Sequence, residues 1–107
     1  MVDVIQVTVT VPNEETGIML ANELVEKRLA ACVQMNGPIR SVYLWKGKVE
    51  DRPEWMCIVK TTRECYQELE AEVKRIHPYE VPEIAAVPVV EGNPDYLRWV
   101  GDCVKRG

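Results

Sequence analysis

Phenylalanine is absent from this chain, and histidine occurs once, at position 77. RNA-recognition modules stack bases on aromatic side chains of their central strands. Here the candidate central strand reads Trp55-Met56-Cys57-Ile58-Val59-Lys60, without that supply or the RNP pattern. A lone histidine supports no Ser–His–Asp or Cys–His arrangement, so nothing requires catalysis. The four cysteines, Cys32, Cys57, Cys65 and Cys103, include no CxxC. That removes zinc-finger spacing and the loop of a metal-chaperone domain. Basic residues are scattered in short clusters, and 13 of them against 17 acidic residues leave a net charge of −4, which speaks against a nucleic-acid partner. No apolar run approaches the ~20 residues of a membrane span, and Met1-Val2-Asp3 opens no signal peptide. No membrane partner is therefore expected, the location is expected to be cytoplasmic, and the thiols are expected to be free and buried or half-buried.

What the chain does have is periodicity. At 107 residues with 47% hydrophobic composition, it suits one domain with a single core. Residues Val2 to Val11 alternate, with Ile5, Val7, Val9 and Val11 on one face, as in a half-buried strand. Pro12 ends it, and Asn13 caps a helix that carries Glu14 and Glu15 in its first turn. Ile18, Ala21, Val25 and Leu29, with Leu24 beside them, form the expected buried stripe. A second strand starts near Ala30–Val33, is interrupted by Gly37-Pro38 and resumes over Ile39–Trp45. Glu50-Asp51-Arg52-Pro53 reads as a turn, and Glu54–Lys60 as a central strand.

Thr61-Thr62-Arg63-Glu64 fits a capping box that opens a second helix, with Cys65, Leu69, Val73 and Ile76 inward. A fourth strand spans Ile84–Val90. A third helix comes after the cap at Gly92-Asn93-Pro94-Asp95, with Trp99 expected against the sheet. The order βαββαβ plus a C-terminal helix is an α+β, ferredoxin-like split βαβ plan. It has an antiparallel sheet ordered 4-1-3-2 and both long helices on one face. Proline agrees, since Pro38 and Pro88 fall on strands two and four, the edges. An open edge carrying Val42, Tyr43, Leu44 and Trp45 calls for a partner, and a homo-oligomer joined edge to edge supplies one.

The densest stretch is His77-Pro78-Tyr79-Glu80-Val81-Pro82-Glu83. Pro78 stops the preceding helix and Pro82 holds Val81 extended, so the polar groups of the segment are fixed in place. Either His77 and Glu83 belong to a small ligand or metal site, or His77 closes a helix C-terminus. The loop Pro12-Asn13-Glu14-Glu15 has no glycine or arginine to cradle a phosphate.

Together these residues resemble a family. Glu26-Lys27-Arg28-Leu29-Ala30-Ala31-Cys32-Val33, then Ile39, Ser41-Val42-Tyr43, Trp45, Gly47 and Lys60-Thr61 are similar to the CutA divalent-cation tolerance proteins. The His77–Glu83 stretch, Gly92-Asn93, Tyr96-Leu97 and Trp99 continue the likeness nearly end to end. The resemblance implies a cytoplasmic homotrimer, PII-like in architecture, with no catalytic reaction. Its expected ligand is copper or another divalent cation, none being required for folding. By motif it places metal binding at Cys32, His77 and Glu83, a set of donors suited to copper. It places a ligand cleft between subunits at Lys60, Thr61, Tyr66 and Tyr79, and the trimer contact at Tyr43 and Trp45. Each has a plainer role open to it: Cys32 as a small core residue, Glu83 as a local cap or ion-pair partner, Lys60 as a strand-end lysine, Thr61 as a helix cap, and the tyrosines as half-buried aromatics. The chain departs from the family pattern at Gln34, where Cys-Val-Asn is usual, and in the extra thiols Cys57, Cys65 and Cys103, which are themselves able to capture copper.

Overall fold

The computed structural model describes residues 2–105. Four strands, β1 (Val4–Val11), β2 (Cys32–Trp45), β3 (Lys48–Thr62) and β4 (Ile84–Pro88), alternate with helices α1 (Glu14–Glu26), α2 (Tyr66–Ile76) and α3 (Pro94–Cys103). They form one sheet ordered β2-β3-β1-β4 in which every pairing is antiparallel. This is the ferredoxin-like plan with the expected strand order. Alternation explains the core. Ile5, Val7, Val9 and Val11 of β1 and Cys57 and Val59 of β3 meet Leu20 and Leu24 of α1 and Leu69 and Val73 of α2. The other sheet face, with Gln6, Thr8, Met56 and Ile58, is left uncovered by these two helices. A second cluster, Val4, Ala31, Cys65, Val100 and Val104, docks α3 at one end.

Several local expectations are corrected. Glu50-Asp51-Arg52-Pro53 is not a turn but runs through β3, opposite Tyr43, Val42, Ser41 and Arg40. Chain reversal occurs at Lys46-Gly47, both at positive φ (51° and 80°), between the paired Trp45 and Lys48. Two left-handed residues match the twist of a two-residue hairpin. Pro53 is tolerated because β1 covers β3 only from Trp55 onward, so that stretch has a neighbour on one side. Gly37-Pro38 does not break β2. It produces a register shift between Asn36 and Ile39, and Gly37 lies where a Cβ would strike the Trp55 ring. The extra β2 residue there flips side-chain parity, so Tyr43 and Trp45 share a face with Gln34 and Cys32.

The α1 stripe is displaced from the expected one. Gly17, Leu20 and Leu24 are buried, while Ile18 and Val25 are exposed. Gly17 allows α1 close to the sheet, since a Cβ there would meet Met35 and Val11. The capping box does not form. A 3₁₀ turn at Arg63–Cys65 precedes α2, and Thr62 makes no side-chain cap bond. Thr61 belongs to the end of β3, and its hydroxyl is used elsewhere. The α3 cap holds, with Asn93 Oδ1 accepting from Asp95 N–H at 3.0 Å and Pro94 leading the helix. Trp99 is not against the sheet but exposed and stacked on Tyr96, ring centroids 5.9 Å apart.

Candidate functional site

Pro78 ends α2 as expected, leaving His77 extended (φ −75°, ψ 136°) with its N–H donating to Val73 O. The buried His77 ring is then fixed from two sides. Nε2 lies 2.7 Å from the Thr10 carbonyl, and Nδ1 lies 3.1 Å from the Tyr79 amide nitrogen. A carbonyl only accepts and an amide N–H only donates, so Nε2 carries the proton and Nδ1 receives one hydrogen bond. Neither nitrogen has a lone pair to spare. Tyr79 packs its ring on His77, centroids 4.8 Å apart, and its hydroxyl donates to Glu54 Oε2 at 2.7 Å. Burial, then the Glu54 carboxylate, pushes the Tyr79 phenol well above its ordinary range. Glu80 reaches Lys46 at the hairpin tip, 3.8 Å away. The connector is thus a clamp between the end of β1 and the β2–β3 ribbon.

The three expected metal ligands are not brought together within one chain. His77 stands at the Thr10 end of β1. Cys32 pairs with Lys60, which pairs with Gln6. Four residues along a strand separate those levels by about 13 Å, and Cys32 lies two strands further across. Glu83 is exposed and immediately precedes Ile84, the partner of Val9. Among the described residues no group of three or more His, Cys, Asp and Glu side chains is placed to hold a metal ion.

The four cleft residues also occupy separate places. Lys60 Nζ donates to Gln34 Oε1, so the amide that departs from the family pattern does make a specific contact. Thr61 Oγ1 donates to Leu29 O at 2.6 Å inside the core. Tyr66 donates to Glu70 Oε2 at 2.9 Å beside a cavity of about 340 Å³ between β4 and α2. Tyr79 is at the connector. Glu54 and Gln34 were not legible as site residues. In sequence Glu54 is indistinguishable from Glu50, and only the fold shows that Glu54 is buried while Glu50 is half-buried.

All four thiols are free. Burial holds Cys57 up at about 11, and Cys65 Sγ donates to Lys105 O at 3.1 Å. Cys32 is half-buried beside Tyr96, whose phenol is raised by burial first and by the thiol next.

The family model described as "CutA1 divalent ion tolerance protein" matches residues 5–103. The chain belongs to the CutA1 family. Among curated relatives it is 47% identical over 94 residues to the divalent-cation tolerance protein CutA of Thermus thermophilus, covering 88% of this chain and 91% of that one. It is 48% identical over 92 residues to protein CutA of Mus musculus, covering 86% of this chain and 52% of that protein, so it spans about half the mouse sequence. The solved structure of CutA1 from Oryza sativa superposes with a TM-score of 0.96 at 42% identity, covering 99% and 97% of the two chains. The family model and the Thermus thermophilus relative are both named for divalent-cation tolerance.

Proposed function

We propose that this CutA1 chain serves divalent-cation tolerance as a cytoplasmic, PII-like homotrimer. In this reading the homotrimer senses a small molecule or partner at clefts between subunits, and copper or another divalent cation is taken up at thiols, Cys32 foremost. The observation that carries it is the double engagement of His77 by Thr10 and Tyr79. A metal at His77 would have to displace one of those bonds. Cys32 is half-buried on the sheet face free of α1 and α2, and a soft thiolate suits copper. Lys60, Tyr66 and Tyr79 remain the cleft residues, Thr61 being enclosed in the core, and Tyr43 and Trp45 the contact. A second reading keeps Cys32, His77 and Glu83 as a copper site shared between chains. Its support is that His77 and Glu83 stand at the same end of the sheet.

Calorimetric titration of reduced, metal-free protein with copper separates the two readings. The variants are His77→Ala, Cys32→Ser and a chain lacking Cys57, Cys65 and Cys103. Binding retained in His77→Ala and lost in Cys32→Ser is expected. Binding that survives the triple removal and collapses in His77→Ala would establish the second reading instead.

A further inference from the structure

Along β3, Trp55, Cys57 and Val59 turn toward the helices, so Glu54, Met56, Ile58 and Lys60 share the face that α1 and α2 leave uncovered. Two of these four are charged, and both are buried: Glu54 is 5% exposed and Lys60 9%. Each is held by a neutral group. Glu54 accepts from the Tyr79 hydroxyl, and Lys60 donates to the Gln34 amide oxygen. Among the described residues, neither has an oppositely charged side chain within 4.0 Å. A charge withdrawn from water without a counter-charge is costly, and protein interiors rarely keep one.

The two charges are opposite in sign, yet they cannot satisfy each other. Six residues of extended strand hold them about 20 Å apart. Between them lie Met56 and Ile58, half-buried and apolar. A negative pole, an apolar strip and a positive pole along one strand form a surface that complements a displaced copy of itself. Such a contact is head-to-tail, and it closes when the rotation generates a ring.

We infer that Glu54 of one copy pairs with Lys60 of the next around the homotrimer, so that each inter-subunit cleft is built from two chains. The inference rests on the homotrimer proposed above and names how its subunits meet. Tyr79 arrives with Glu54, while Cys32 and Gln34 arrive with Lys60. Tyr79 and Lys60, far apart in one chain, thereby line a single cleft. A ligand entering it would meet a phenol, a carboxylate and an ammonium at once.

The test is a double-mutant cycle on the full chain with Glu54→Gln, Lys60→Gln and both together. Sedimentation equilibrium reads the trimer dissociation constant, and circular dichroism confirms folding. Each single change is expected to weaken the trimer at least tenfold, because it strands the opposite charge. The double variant is expected to be at least tenfold tighter than the product of the two single effects predicts. The reversals Glu54→Lys and Lys60→Glu, each disruptive alone and restored in combination, make the same point independently of lost hydrogen bonds. Additive effects in a chain that still forms trimers would overturn the pairing and leave the homotrimer standing. A wild-type chain that sediments as a monomer at micromolar concentration would instead overturn the homotrimer.

Discussion

Cys57 lies in the sheet interior with its thiol held up at about 11 by burial, and a thiol must ionise to react. Cys32 and Cys103 are half-buried. Labelling the native protein with a thiol reagent near pH 8, with mass mapping of the products, should therefore modify Cys32 and Cys103 first and Cys57 only on unfolding. Early labelling of Cys57 would mean that the sheet opens locally. Glu72 gives a second residue-scale prediction. Its carboxylate joins α1 to α2, taking Arg75 at 2.6 Å and Lys27 at 2.8 Å. Arg75 first, then Lys27, draws its pKa from 4.5 to about 2. A folded value below the unfolded one adds stability above the unfolded value, and that stability is lost as pH falls through the folded value. Denaturation curves should thus show Glu72→Gln less stable than wild type near neutrality. The gap should close between about pH 4.5 and pH 2. A gap that is constant with pH would show that the bridge does not contribute through ionisation.

At the scale of elements, Arg28 joins two helices. It takes the left-handed conformation just past α1 (φ 58°), and its guanidinium donates to the last carbonyls of α3, Cys103 O at 3.1 Å and Asp102 O at 3.2 Å. Its own carbonyl accepts from Lys105 N–H at 2.9 Å. Positive charge at a helix C-terminus is favourable, whereas a non-glycine residue at positive φ costs about 1 kcal/mol. Arg28→Ala should keep the strain and lose the cap, destabilising by about 1–3 kcal/mol. Arg28→Gly should lose the cap but relieve the strain, and so fall between alanine and wild type in urea denaturation. The reverse order would assign Arg28 no capping role.

None of this was readable in Lys27-Arg28, which has the look of a basic last turn of α1. The strand order was legible because alternation and proline placement both reflect which strands are central. The hairpin was not. Glu50-Asp51-Arg52-Pro53 has turn composition, yet on a ribbon wet on both sides those charges pair across and along the strands, as Arg40–Asp51 at 2.8 Å and Arg52–Glu50 at 3.2 Å. Lys46-Gly47 lacks the asparagine that usually announces such a turn. The α1 stripe was hidden because its large apolar side chains outweigh Gly17, whose lack of a Cβ is what lets the helix approach. Of the site, the proline-held connector was legible. The burial of Glu54 and the partner of Gln34 depend on tertiary packing and left no local mark.

At the scale of the whole molecule, the chain measures 44 × 26 × 22 Å, the long axis reflecting a β2–β3 ribbon that runs beyond β1. That ribbon carries exposed apolar side chains on both faces, among its charged ones. Leu44 and Val49 pair on one, 70% and 74% exposed, and Trp45 lies on the other at 37%. A contiguous patch of this kind on a free monomer invites edge-to-edge association without limit, whereas a closed ring consumes it. The proposed homotrimer would cover the ribbon on both sides, since each subunit has two neighbours. Trp45→Ala removes a large anchor from one side, and Leu44→Ser makes the other polar. Each should cost about 2 kcal/mol per contact. Three contacts per ring multiply that loss, so each variant should shift light-scattering mass toward monomer on dilution and lower the melting temperature. If only Trp45→Ala does so, a single face is covered and Leu44 is left to water. If neither moves mass or melting temperature, the ribbon is not the contact, and the open sheet face with Glu54 and Lys60 would have to hold the ring alone.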